Sequence, residues 1–279
     1  MILVTGANGN LGAATLVALR ARGVAATGGS RTPGEAMRRL DFDDPAGLDL
    51  AGVSTLVLIS AGYAEDDQVV RRHAAVLDAA VRDGVRHVVY TSLTTAGDHL
   101  GFALAHRATE RLVRASGLPW TILRNGLYAE LFGGLLMWAE DGVESPFGDG
   151  ALAAVAREDL ADAAAIVAAS PESHSGHVYD LVGTPITAGR VADRLGIPHR
   201  TIGLGEYRRR LLDETPGLLP FQPPMLVSIA TATRHGFLDG TTPDLAELLG
   251  RPARDPLATA VAAASATRPQ QASGSGTAR

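Results

Sequence analysis

In the first half of the chain, short apolar runs alternate with stretches of helical spacing. Residues 2–4 form an apolar run that stops at a turn carrying Gly6, Gly9 and Gly12, and helical spacing follows over 11–22. Residues 24–27 read as a second strand, ending in Gly28-Gly29-Ser30-Arg31. Residues 37–40 read as a short third, followed by Asp41-Phe42-Asp43-Asp44, and 53–59 as a fourth, apolar at its end. Over 66–83 the apolar positions Val69, Val70, Ala74, Leu77, Ala80 and Val81 recur at helical spacing. A fifth strand over 85–91, a helix over 102–116 and a sixth strand over 120–123 complete the alternation. Apolar strands separated by helices predict an α/β fold: a doubly wound parallel sheet covered on both faces.

The second half is less regular. It predicts helices over 158–169, 188–195, 206–212 and 225–234, with a strand over 177–182. Thr242-Pro243 reads as a helix start, with the threonine as N-cap and the proline in the first turn. Residues 265–279 are rich in Ser, Gly, Gln and Pro without an apolar face, and read as a disordered tail. The organisation expected is a nucleotide-binding core over 1–150, a C-terminal lobe over 151–264 interleaved with it, and the tail.

Composition narrows the function classes. The chain has 279 residues, 46% hydrophobic, with a net charge of −5, so a large core is available and a nucleic-acid partner is not expected. No apolar run reaches membrane-spanning length, and the N-terminus has no signal-like apolar region, which predicts a cytoplasmic protein without a membrane partner. A homodimer stays open. There is no cysteine, which excludes disulfides and cysteine nucleophiles. There is also no lysine: all 25 basic residues are arginine. A P-loop and a Schiff-base enzyme both need lysine, so neither operates here. No H-E-x-x-H set or G-x-S-x-G elbow occurs, and no metal is expected.

The glycine turn carries the strongest chemical signal. At a strand-to-helix junction, such a turn brings backbone N–H groups and the positive end of a helix dipole against a pyrophosphate. The spacing is G-x-x-G-x-x-G. Gly6 would permit the turn, Gly9 the approach of the phosphates, and Gly12 close packing of the helix. In a dinucleotide site the end of the second strand lies beside the adenosine ribose. A carboxylate there binds the 2′-OH of NAD, and an arginine accommodates the 2′-phosphate of NADP. Residues 24–34 contain Ser30 and Arg31 and no Asp or Glu, which favours NADPH. Asp41 and Phe42 are placed to border the adenine.

These segments, with others further along, resemble the atypical short-chain dehydrogenase/reductases of the NmrA-like branch, and within it the bacterial NAD(P)H:quinone oxidoreductases. The resemblance rests on residues 4–12, Ser-Arg-Thr-Pro at 30–33, Leu-Val-Leu-Ile-Ser at 56–60 and Tyr-Thr-Ser-Leu at 90–93. It continues through His106, Thr109 and Glu110 to Leu-Arg-Asn-Gly-Leu-Tyr-Ala-Glu at 123–130. It implies a Rossmann-type sheet with a small C-terminal lobe. It implies NADPH held by the turn residues Gly6, Asn8, Gly9, Asn10, Leu11 and Gly12, and by Ser30 and Arg31. Ser60, Ala61 and Gly62 after the fourth strand, Thr91, and the Asn125-Gly126 loop complete the cofactor set.

The main branch of this superfamily uses a Tyr-x-x-x-Lys pair to protonate a carbonyl. Without lysine that pair cannot exist, and His106 and Glu110 stand in its place. A quinone has little need of a positioned proton donor, because water can protonate its reduced form. The expected activity is therefore NADPH-dependent transfer of hydride to a quinone-like acceptor. The alternatives are a redox sensor that binds NADP(H) without turnover, and a carbonyl or imine reductase using His106 as acid. His106 and Tyr128 are the expected catalytic contacts, with Glu110 orienting His106 and the Tyr128 ring covering the nicotinamide or a flat substrate. Ser92 is expected to be structural or cofactor-facing, and Tyr90 to belong to the core.

Overall fold

A computed structural model describes residues 1–61 and 64–269. The strands are β1 (Ile2–Val4), β2 (Ala26–Ser30), β3 (Met37–Arg39), β4 (Thr55–Leu58), β5 (His87–Leu93), β6 (Trp120–Asn125), β7 (Met137–Trp138), β8 (Val143–Ser145), β9 (Ala151–Ala153), β10 (Val178–Leu181), β11 (Pro185–Thr187) and β12 (His199–Thr201). The helices are α1 (Asn10–Ala21), α2 (Asp66–Arg82), α3 (Ala103–Ala115), α4 (Ala129–Gly134), α5 (Arg157–Ala169), α6 (Ala188–Leu195), α7 (Leu204–Asp213), α8 (Gln222–Arg234), α9 (Asp244–Leu249) and α10 (Pro256–Ala266).

Seven strands form one parallel sheet in the order β10-β6-β5-β4-β1-β2-β3. Its central strands are buried along their whole length, as the near-continuous apolar runs predict. One face packs against α1 and α5 through Leu11, Leu19, Leu160 and Val167. The other packs against α2 and α3 through Val76, Leu77 and Val113. The strand order reverses between β1 and β4. In open parallel sheets the crevice outside the carboxyl ends at such a reversal is where ligands bind.

Several elements differ in extent from the sequence reading. β2 runs over Ala26–Ser30 rather than 24–27, because Gly28, Gly29 and Ser30 pair with β3. Ladder pairing outweighs the poor strand propensity of glycine there. β5 and β6 extend to Leu93 and Asn125, which are register partners, so the site residues at their ends sit in the sheet. Thr242 is not the cap of α9: its hydroxyl donates to the Asp180 carbonyl, and Pro243 occupies the cap position.

The C-terminal lobe has its own core of Phe132, Phe147, Ile186, Val191, Tyr207, Ile229 and Ala260. It includes α4, β7 and β8, which precede residue 150, whereas α5, β10 and α9 belong to the sheet domain. The two- and three-residue strands of the lobe are too short to show a period. α10 went unread. Pro256 opens it and the Asp255 carboxylate caps it, accepting the Leu257 N–H at 2.9 Å. It lies on α4 so closely that a Cβ on Gly133 would stand 2.1 Å from the Ala260 carbonyl oxygen. α10 takes in Ser265 and Ala266, which the sequence reading put in the tail; residues 270–279 lie outside the described residues. Among the described residues, no helix is long and apolar enough to cross a membrane.

Candidate active site

The turn after β1 is built as its glycines require. Gly6 has φ +60, a left-handed conformation that glycine adopts without strain. Gly9 begins α1 in the cap position, and its N–H donates to the Gly6 carbonyl at 2.8 Å. No side chain caps the helix, so the positive end of α1 opens on the turn. Gly6, Asn8, Gly9 and Asn10 are exposed, while Leu11 and Gly12 are buried. The glycines do different jobs. A Cβ on Gly12 would stand 2.3 Å from the Gly6 carbonyl oxygen, so Gly12 serves packing. A Cβ on Gly9 would meet only that oxygen, at 3.2 Å, and otherwise project into open space.

Asn8 ties this turn to the end of β2. Its Nδ2 donates to Ser30 Oγ at 2.9 Å and to the Thr32 carbonyl at 2.8 Å. Arg31 lies between those anchors, exposed, and forms no ion pair among the described residues. Asp41 accepts the Asp43 N–H at 3.1 Å and lies 3.7 Å from Arg39, so its carboxylate shapes its own turn. Phe42 is half-buried against the sheet core. Asp43, which the sequence reading passed over, is clamped by Arg71 and Arg72 at 2.8 and 2.7 Å. Their hydrogen bonds hold its carboxyl well below the usual carboxylate range.

Beside β1, Thr5 Oγ1 accepts the Ile59 N–H at 2.9 Å and so fixes the end of β4. The Ser60 N–H donates to Thr91 Oγ1 at 3.0 Å. Thr91, expected as a cofactor contact, uses its hydroxyl on this brace. Ser60 Oγ and Asn125 Oδ1 are both buried without a hydrogen-bond partner among the described residues. Gly126 is packed by β10: its N–H donates to the Leu181 carbonyl at 2.8 Å, and a Cβ would stand 3.0 Å from that oxygen. Gly62 lies outside the described residues.

On α3, His106 is half-buried, and its Nδ1 lies 3.2 Å from the Tyr90 hydroxyl. Nε2 has no protein partner among the described residues. Burial, aided by the neighbouring Arg107 charge, pushes the imidazole down to about 4. At neutral pH His106 is therefore uncharged. Tyr90 is fully buried, and burial raises its phenol.

The expected pairing of Glu110 with His106 does not form. Glu110 instead accepts Ser92 Oγ at 2.7 Å, Arg107 at 2.8 Å and Arg124 at 2.9 and 2.7 Å. Burial raises this carboxyl, and the hydrogen bonds from Arg124 and Ser92 more than offset it, leaving the group ionised and below its ordinary value. Residues four apart share a helix face, but the face is wide enough for one to reach the ends of β5 and β6 while the other meets Tyr90. Ser92, expected to be structural or cofactor-facing, spends its hydroxyl hydrogen on Glu110. Tyr128 is half-buried, bridged to Val155, with the Arg157 guanidinium 4.9 Å from its ring centre. One face of the ring is therefore already covered. A cavity of about 720 Å³ lies between α7, α8 and the loop after β5, lined by His99, Val227 and Phe237 among others. None of the expected site residues lines it.

This fold and this turn are those of a dinucleotide-binding protein. Residues 6–171 match the family described as NAD(P)H-binding. The chain belongs to that family, in the NmrA-like branch of the atypical short-chain dehydrogenase/reductases. It is similar to quinone oxidoreductase 2 of Escherichia coli K12, with 38% identity over 200 residues, 66% of this chain and 68% of that protein. Among solved structures it is similar to triphenylmethane reductase of Citrobacter sp. complexed with NADP(H), with a TM-score of 0.83 and 28% identity, covering 94% of this chain and 99% of that one. It is also similar to the NADPH-dependent quinone oxidoreductase of Escherichia coli complexed with NADPH, with a TM-score of 0.80 and 29% identity, covering 93% and 98%.

Proposed function

We propose that the protein is an NADPH-dependent oxidoreductase acting on a quinone-like conjugated acceptor, and that it works in the cytoplasm. The observation that carries this reading is the open turn at the carboxyl end of β1, with Gly9 facing free space and Arg31 unpaired beside it. The unpartnered atoms fit the same ligand. Backbone N–H groups at the start of α1 would hold the pyrophosphate, and Arg31, braced through Asn8, the 2′-phosphate. Asn125 Oδ1 is a buried acceptor suited to the carboxamide N–H of the nicotinamide, and Ser60 Oγ lines the same strand ends. NADPH, when bound, supplies the hydride.

His106 would turn Nε2 toward the acceptor, with the Tyr90 hydroxyl holding the ring through Nδ1. A histidine pushed down to about 4 carries no dischargeable proton at pH 7, which favours solvent as the proton source. This supports an acceptor that needs no positioned acid, in line with the missing lysine. Tyr128, at the carboxyl end of β6, would border the acceptor.

The test is loss of nicotinamide absorbance on mixing the protein with NADPH and a simple benzoquinone. Turnover is expected, and His106→Ala should lower it by about tenfold, short of the 10²–10⁴ that loss of an obligatory general acid costs. The rate should show no histidine-like step between pH 6 and 8. Near-complete loss in His106→Ala at unchanged cofactor affinity would favour a carbonyl or imine reductase. Tight NADPH binding without turnover on any quinone or carbonyl would favour a sensor.

A further inference from the structure

His73 is fully buried on α2 and has no part in the chemistry above. Its Nε2 accepts the Ala61 N–H at 2.9 Å, on the loop leaving β4. A backbone N–H only donates, so Nε2 is bare and Nδ1 carries the proton. Nδ1–H then donates to Thr109 Oγ1 at 2.8 Å, and Thr109 donates its own hydroxyl hydrogen to the Ala105 carbonyl at 2.8 Å. One tautomer satisfies every group in the chain. Burial, helped by His106 and Arg72, pushes this imidazole down to about 3, so the arrangement persists across neutral pH. The ring also meets Tyr90 edge-on, with centroids 5.6 Å apart, and Tyr90 in turn contacts His106.

We propose that His73 is a positioning residue, which sets the Ser60–Ala61 loop against the cofactor by tying the Ala61 N–H to Thr109 on the helix that carries His106. The inference rests on the cofactor placement proposed above. A side chain that merely filled space here would need no hydrogen bonds, yet His73 uses both ring nitrogens. Thr91 holds the Ser60 N–H from the adjacent strand. Two successive loop N–H groups are thus pinned, one from β5 and one from α2.

The experiment compares wild type with His73→Phe, His73→Asn and His73→Gln. The glutamine amide reaches the position of Nε2, the asparagine amide only that of Nδ1, and phenylalanine keeps the volume alone. The readouts are NADPH Kd by calorimetry, Tm, and the separate KM and kcat for NADPH. His73→Phe and His73→Asn are expected to weaken NADPH binding by about tenfold, mainly in Kd and KM, because the Ala61 N–H loses its acceptor. His73→Gln is expected to stay within about threefold of wild type although its Tm falls with the others. Affinity that simply follows Tm across the variants, or wild-type affinity in His73→Phe, would overturn the inference and leave the proposed function standing. Should His73→Phe fail to fold, Thr109→Val removes the far anchor alone, and unchanged NADPH affinity there would equally overturn it. A wild-type protein that does not bind NADPH would overturn both readings together.

Discussion

The glycine turn after β1 and the cluster around Glu110 lie at the same end of the sheet, and they handle polar groups in opposite ways. At the turn, backbone and side-chain groups are left open: the start of α1 is uncapped, Arg31 is unpaired, and Ser60 Oγ has no partner among the described residues. Under β5 and β6, the buried Glu110 carboxylate is saturated by Ser92, Arg107 and Arg124, and Arg107 also holds the Leu93 and Thr94 carbonyls at 2.9 Å. An unsatisfied buried polar group costs free energy that folding alone does not recover. Where such groups persist beside an open crevice, a ligand is their natural partner. Where all are paired, the cluster holds the fold. By this criterion Glu110 is a structural hub, whereas His106, one turn earlier, makes a single hydrogen-bond contact, with the Tyr90 hydroxyl, among the described residues.

Four substitutions sharpen or break that contrast. Glu110→Ala should produce the largest change. It removes the buried carboxylate shared by Ser92, Arg107 and Arg124, leaving Arg107 with Asp98 and Arg124 with Thr95, and removing one partner of a buried ion cluster costs about 3–5 kcal/mol. Chemical denaturation should register that loss, while the folded fraction keeps its NADPH affinity. Lost affinity at full stability would instead put Glu110 in the binding site.

Gly9→Val comes next. It should reduce NADPH affinity by at least about a hundredfold, since the side chain fills the space meant for the pyrophosphate. Its Tm should hardly move, because the position is open and its backbone is extended. Gly12→Ala should do the reverse and lower Tm, as its Cβ would collide with the Gly6 carbonyl. Calorimetry and thermal melts on the pair separate the two roles, and a Gly9→Val protein that still bound NADPH would remove the turn from the site.

Arg31→Ala gives the smallest and most selective effect. Losing one charge-assisted contact costs about 1.5–3 kcal/mol, so NADPH binding should fall by roughly ten- to a hundredfold while NADH binding barely changes. Equal losses for the two cofactors would show that Arg31 does not read the 2′-phosphate.

The cofactor side of the molecule was legible because its signals are local. A glycine triplet between an apolar run and a helix, and an arginine with no carboxylate nearby, report on their own few residues. The supporting residues were not legible for the opposite reason. His73 sits on the apolar side of an amphipathic helix, and nothing nearby in sequence marks that its partners come from residues 61 and 109. Asp159, fully buried on α5, reads like any acidic residue of a first turn until Arg251 and Arg254 close on it from about ninety residues away.

By itself, the sequence determined the parallel α/β sheet, the glycine turn between its first strand and first helix, the arginine near it and the absence of a lysine-dependent mechanism. Those follow from periodicity, from glycine's conformational freedom and from which residue types are present. Only the tertiary structure decided which of two residues four apart on α3 is locked into a buried ion cluster, which hydroxyls remain unpaired among the described residues, and which strand ends meet at the reversal between β1 and β4. It also drew the lobe, whose short strands and closely packed α4 and α10 gain their stability from one another. Spacing puts side chains on a common face, but the pairing of a buried charge depends on partners brought together by the fold.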